Sequence, residues 1–149
     1  MRGYLVNSKL CTRPIEGRFE ATIKIGDLLK NKIVANVREM LGPFDCSKVE
    51  QSTVKLPQSA TLIEKEAFVL AKGQVYFGQW TPDLKQRAGI GIQVWPDGSV
   101  YEGQWLRNRA NGNGRLIHAD GDVYEGDWVN DKAHGKGVFH GSDGAIYKG

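Results

Sequence analysis

The sequence predicts a mainly β protein built from stacked β-hairpins, preceded by a small α+β segment with one amphipathic helix. Three observations carry that reading. A five-residue phrase recurs as Tyr76-Phe-Gly-Gln-Trp80, Tyr101-Glu-Gly-Gln-Trp105 and Tyr124-Glu-Gly-Asp-Trp128. Each phrase is followed by a Gly-x-Gly (Gly89/Gly91, Gly112/Gly114, Gly135/Gly137) and then by an Asp-Gly (97–98, 120–121, 143–144). The third observation is a composition step: all 4 Trp and 15 of the 19 Gly lie in residues 71–149. The expected division is therefore an N-terminal segment over 1–60 and a repeat array over 61–149. The Tyr-to-Tyr spacings of 25, 23 and 23 residues set units at 76–100, 101–123 and 124–146, with a truncated fourth from Tyr147.

A strand repeats every two residues, so in Tyr101-Glu102-Gly103-Gln104-Trp105 the Tyr, Gly and Trp share one face and Glu and Gln the other. Alternating Gly78, Gly103 and Gly126 with large aromatics leaves gaps in which neighbouring rings can lie. Asn108 and Asn130 suit a left-handed turn position, and the Asp-Gly pairs suit tight turns between units. A lone hairpin of about twenty residues is too small to be stable. Stacking units edge to edge buries the aromatic stripe and pairs the strand edges.

Ahead of the array, residues 17–25 alternate as a strand does. Asp27 is placed to cap a helix running to about Leu41, where Gly42-Pro43 stops it. Its apolar stripe is Leu28, Leu29, Ile33, Val34, Val37, Met40 and Leu41. Such a helix either docks a partner or membrane surface, or packs at the end of the sheet and caps its open edge; the second is preferred. Residues 44–60 read as an extended linker and Thr61–Ala71 as a lead-in strand.

Charge narrows the function. Residues 1–70 carry 11 Lys and Arg against 8 Asp and Glu, whereas residues 71–149 carry 9 against 9. A neutral array lacks the clustered positive charge that nucleic acid attracts. Cys11 and Cys46 are too few for a disulfide framework, which makes a reducing compartment such as the cytoplasm the default. No apolar run approaches the roughly 20 residues that span a bilayer. Arg2, Lys9 and Arg13, without an acid among them, read as an exposed basic tail; mitochondrial import is the lesser alternative.

The phrase Tyr-Glu-Gly-x-Trp, then Gly-x-Gly, then Asp-Gly, at a period of 23 residues, resembles the MORN repeat family. The resemblance covers residues 76–149 and implies an elongated, twisted, single-layer antiparallel sheet with a shallow groove lined by aromatics. Phe77 departs from the pattern by replacing an acid, Thr81–Ala88 is a longer loop, and Gly141 stands where the other units have Trp95 and His118. By resemblance, the function implied is a non-catalytic scaffold or protein-docking module, as in radial-spoke-head and other axonemal arrays. That implies partners within a multi-subunit cytoskeletal assembly such as a cilium. Two alternatives inherit from the same family: a phosphoinositide- or membrane-associated organiser, which neutral repeats disfavour, and a regulatory arm of a larger enzyme or organellar membrane complex.

No chemistry-bearing motif competes. Gly89-Ile-Gly91 and Gly112-Asn-Gly114 lack the continuation of a phosphate-binding loop, and the histidines lack metal-ligand spacing. No enzyme activity, cofactor or metal is expected. The candidate protein-binding residues are Tyr76, Trp80, Trp95, Tyr101, Trp105, Tyr124, Trp128 and Tyr147, an aromatic face plus an open C-terminal edge. Gly78, Gly89, Gly91, Gly103, Gly112, Gly114, Gly126, Gly135 and Gly137 are the structural glycines. The C-terminal edge from Tyr124 onward is expected to meet a partner, another copy or further chain. Hairpin strands are expected near 75–80/90–95, 100–105/113–118 and 123–128/136–140, and a helix in any of these windows would contradict the repeat reading.

Overall fold

The computed structural model describes residues 29–42, 44–45, 62–70 and 72–149. Among the described residues, one helix, α1 (Lys32–Leu41), precedes eight strands. The strands are β1 (Ile63–Val69), β2 (Val75–Trp80), β3 (Arg87–Val94), β4 (Val100–Leu106), β5 (Arg109–Ile117), β6 (Val123–Val129), β7 (Lys132–His140) and β8 (Ile146–Lys148). All eight form one antiparallel sheet in chain order. The three units are the hairpins β2–β3, β4–β5 and β6–β7, and β1 covers the outer side of the first. The expected strand over 17–25, the Asp27 cap and most of the 44–60 linker lie outside the described residues.

The second strand of each hairpin starts three to four residues before the alternation pattern indicates. The reason is turn geometry. Arg107-Asn108 and Asn130-Asp131 each hold φ values between 49° and 71° at both positions. Leu106 pairs with Arg109 and Val129 with Lys132, so each turn is a two-residue loop of the mirror-image type that matches strand twist. The register then slips inside each hairpin, between Gly78 and Trp80, Gly103 and Trp105, and Gly126 and Trp128. The first glycine of each Gly-x-Gly absorbs that slip: Gly112, for one, sits at φ +97°, a region that favours glycine.

The fourth residue of the phrase closes the bulge. The side-chain oxygen of Gln79 accepts from Ile90 N (2.9 Å), that of Gln104 from Asn113 N (3.4 Å) and that of Asp127 from Lys136 N (3.2 Å). Backbone groups exposed by the irregularity are thereby satisfied. Turn side chains tie units together as well: Asn108 Oδ1 accepts from Arg87 N, and Asp131 Oδ1 from Ala110 N.

The two faces of the sheet differ. One buries the Tyr and Trp rings together with Ala110. The other carries Phe77, Ile90, Ile92, Val94, Val100, Ile117 and Val123, and α1 lies on it with Val34 fully buried. This corrects the expected placement of the helix at the sheet end. The phrase itself puts polar residues on the second face, but the residues around it alternate aliphatic side chains onto that face, and these require cover. The N-terminal edge is paired by β1 instead. Phe44, expected in a linker, is buried in the same aliphatic core.

The helix also starts later than expected. Asn31 is the N-cap, its Oδ1 accepting from Ile33 N (2.9 Å) and Val34 N (3.3 Å). The Asn31 amide meanwhile donates to the carbonyls of Asp97 (3.1 Å) and Ala119 (3.0 Å), clamping the helix across two Asp-Gly turns. Further along, Arg38 donates to Glu102 through Nε (2.8 Å) and Nη2 (2.9 Å). Arg115 donates to Glu102 (3.1 Å) and to Gly42 O (2.8 Å), where the helix ends. Glu102 and Arg115 are 1 % and 3 % exposed, so this is a buried charge held between two guanidiniums.

Removing one member of such a set leaves a charge stranded out of water. Glu102→Ala is expected to destabilise the protein by about 3–5 kcal/mol in denaturant titration; a loss below about 1 kcal/mol, the surface-pair scale, would mean the site is hydrated. Trp105→Ala, which deletes a ring that is 2 % exposed, is expected to cost roughly 3–5 kcal/mol by the same measurement.

Candidate functional site

Six rings interlock along the aromatic face. Tyr76 stands edge-on to Trp80 (5.2 Å between centroids) and to Trp105 (5.3 Å). Tyr101 does the same with Trp105 (5.2 Å) and Trp128 (5.3 Å), and Tyr124 with Trp128 (5.3 Å). The interplanar angles run from 83° to 87°, the edge-to-face geometry that the ring quadrupole favours. Phe68 extends the row onto β1, 5.5 Å from Trp80.

All but one of the polar handles on the rings are engaged with backbone. Tyr76 OH donates to Gln79 O (2.8 Å), Tyr101 OH to Gln104 O (2.9 Å) and Tyr124 OH to Asp127 O (3.2 Å). The indole N–H of Trp105 donates to Gly91 O (3.2 Å) and that of Trp128 to Gly114 O (3.0 Å), each reaching back one unit. Trp80 Nε1 is buried with no acceptor among the described residues. The second glycine of each Gly-x-Gly makes room for the tyrosine: a Cβ on Gly91, Gly114 or Gly137 would overlap the ring of Tyr76, Tyr101 or Tyr124.

Above the ladder runs a trough of about 440 Å³, lined by Trp95, Tyr101, Trp105, Leu116, Trp128 and their neighbours. Polar groups stand among them. Arg87 lies over the Trp105 ring, 4.6 Å from its centroid, and 5.8 Å from that of Tyr76. Asp97 and Asp131 line the same space and are exposed.

Of the aromatic residues expected in a protein-binding face, Tyr76, Trp80, Tyr101, Trp105, Tyr124 and Trp128 are brought together in the ladder. Five of these are at most 6 % exposed and act as floor more than as free side chains. Trp95 is half-buried against the same cluster. Tyr147 stands apart on β8, 64 % exposed, with its ring 6.1 Å from Phe139. Arg87, Asp131, Gln93 and Leu116 were missing from the expected set. Their signal lay in the 23-residue alignment, where Arg87 replaces Ala110 and Ala133, but it is a departure from the repeat and so carries no motif.

Among the described residues no cluster of three or more His, Cys, Asp or Glu could hold a metal ion, and no helix is long and apolar enough to cross a membrane. A family model for the MORN repeat matches residues 76–100, 101–123 and 124–146, the same units that the tyrosine spacing marks. A comparison of the chain with curated proteins finds no match.

Burial pushes the phenols of Tyr76 and Tyr101 well above their ordinary value of 10. Folded tyrosines that hold their protons more tightly than unfolded ones stabilise the protein fully below pH 10 and lose that contribution as pH climbs beyond it. Alkaline unfolding is therefore expected above about pH 10, with tyrosinate absorbance and loss of β circular dichroism rising together. Tyrosinate assigned to Tyr76 or Tyr101, by its loss in the Tyr76→Phe or Tyr101→Phe variant, that appears while the sheet signal stays intact would contradict the buried ladder.

Proposed function

Residues 76–146 are MORN repeats, and on that premise we propose that the protein is a non-catalytic docking scaffold whose aromatic trough receives a segment of a partner protein. One observation carries the reading: a concave, largely apolar trough of about 440 Å³ lies over a floor in which Tyr101, Trp105 and Trp128 already hold backbone carbonyls. A preformed surface with aromatic anchors and polar margins binds without the cost of ordering itself. The phrase residues are committed to the sheet. Tyrosine hydroxyls, Gln and Asp side chains and the Trp105 and Trp128 indoles all hold backbone, which suits a scaffold better than an acid–base or nucleophilic role. The setting we infer is a multi-subunit cytoskeletal complex such as a ciliary axoneme, on the likeness of Tyr124-Glu-Gly-Asp-Trp128 and its sister phrases to axonemal arrays.

Photo-crosslinking separates the readings. A benzophenone amino acid at Trp95, in the trough, is expected to yield a discrete protein adduct from native assemblies. The same probe at Met40, 78 % exposed on α1, is expected to yield none. Adducts from Met40 alone would move docking to the helix. Co-sedimentation with phosphoinositide vesicles, without any protein adduct, would favour a membrane organiser.

A further inference from the structure

The 23-residue period allows the junctions between units to be superposed position by position, and they differ in one revealing way. At the first junction Arg87 fills the space above Trp105. Its Nε donates to Asn108 Oδ1 (2.7 Å), one Nη to Asn108 O (2.8 Å) and the other Nη to Gln93 Oε1. The guanidinium is thus stacked on an indole and gripped by the turn of the next unit.

At the second junction the same frame is present. Ala110 takes the place of Arg87, Trp128 of Trp105, Tyr101 of Tyr76 and Asp131 of Asn108. The backbone bonds are preserved: Asn108 N donates to Arg87 O and Asp131 N to Ala110 O, both at 3.0 Å. The Tyr–Trp contact is preserved too, at 5.3 Å in each case. Three side chains change, one of them being Leu116 in the place of Gln93. The side chain at 110 stops at Cβ, so the corresponding space opens into the trough that Ala110, Leu116, Trp128 and Asp131 line. The gripping residue becomes a carboxylate, and its charge acts on both Arg87 and Tyr101.

We infer that the second junction is a binding site for an arginine side chain of the partner protein, which stacks on Trp128 and pairs with Asp131 as Arg87 stacks on Trp105 and pairs with Asn108. The inference rests on the docking reading of the same trough and names the chemistry of what docks. An indole face favours a planar cation, and a carboxylate beside it favours the forked donors of a guanidinium over a point-like ammonium. Leu116, in the place of Gln93, offers the arginine stem an apolar wall.

The test uses the full chain and the indole N–H of Trp128 as an NMR reporter, titrated with acetyl-arginine amide. Binding in the millimolar range is expected to shift Trp128 while leaving Trp80 in place. The neutral isostere acetyl-citrulline amide should not reproduce it, and acetyl-lysine amide should bind more weakly. Asp131→Asn, which keeps the Ala110 backbone bond just as Asn108 does, is expected to weaken binding on the order of tenfold. Ala110→Arg supplies the guanidinium internally and is expected to abolish the response. A silent Trp128, an equal response to citrulline or lysine, or full binding by Asp131→Asn would overturn the arginine site. A Trp95 protein adduct together with a silent Trp128 would overturn this inference and leave docking standing. A Trp128 response without any adduct would support the pocket and sink the docking reading.

Discussion

A tyrosine ring laid across a glycine of the next strand is the contact from which most of this sheet follows. The ring occupies the volume that a side chain at Gly91, Gly114 or Gly137 would need. From there its edges meet two tryptophans, one in its own unit and one in the next. The ladder therefore binds units to one another as firmly as it binds strands within a unit. Isolated hairpins are marginal in water, and stacking gives each a second wall of rings. The tyrosine hydroxyls that would otherwise be buried without partners reach carbonyls of their own strands, and the Trp105 and Trp128 indoles reach carbonyls of the preceding unit.

The opposite face uses different physics. Aliphatic side chains of β3 to β6 present an apolar surface that one helix of ten residues covers in part. Its seat is fixed by polar clamps as much as by area: Asn31 bridges two turns, and Glu102 sits between Arg38 and Arg115. Glu102 also explains why the first unit departs from the repeat. Its cross-strand partner is Arg115, whereas the equivalent pair in the first unit is Phe77 with Ile92, both members of the aliphatic core. One charged pair pins the helix, and an apolar pair one unit away packs beneath it.

The hairpins and the shared face of Tyr, Gly and Trp were legible because they repeat: three copies of a phrase reveal which positions matter before their reason is known. The mirror-image turns were half legible, with Asn108 and Asn130 marking them and Arg107 and Asp131 giving no sign. The slip at Gly89, Gly112 and Gly135 was invisible, because alternation arithmetic assumes a regular register and so placed β3, β5 and β7 late. Helix placement failed for a related reason. The phrase shows a polar second face, and only the flanking Ile90, Ile92, Ile117 and Val123 reveal its apolar character. Arg87 and Asp131 escaped notice because a site made by differences between repeats is averaged away by the search for likeness.

The ladder account turns on a coupling that one double-mutant cycle measures directly. Gly114 has no left-handed backbone requirement, and the atoms that crowd its Cβ position belong to Tyr101. Gly114→Ala alone is expected to destabilise the protein by about 1–3 kcal/mol through overpacking. In the Tyr101→Ala background the same change is expected to cost almost nothing, giving a coupling of at least about 1 kcal/mol in denaturant titration. Additive losses within about 0.5 kcal/mol would mean that the ring does not rest on the glycine, and the account of how the units hold together would fail.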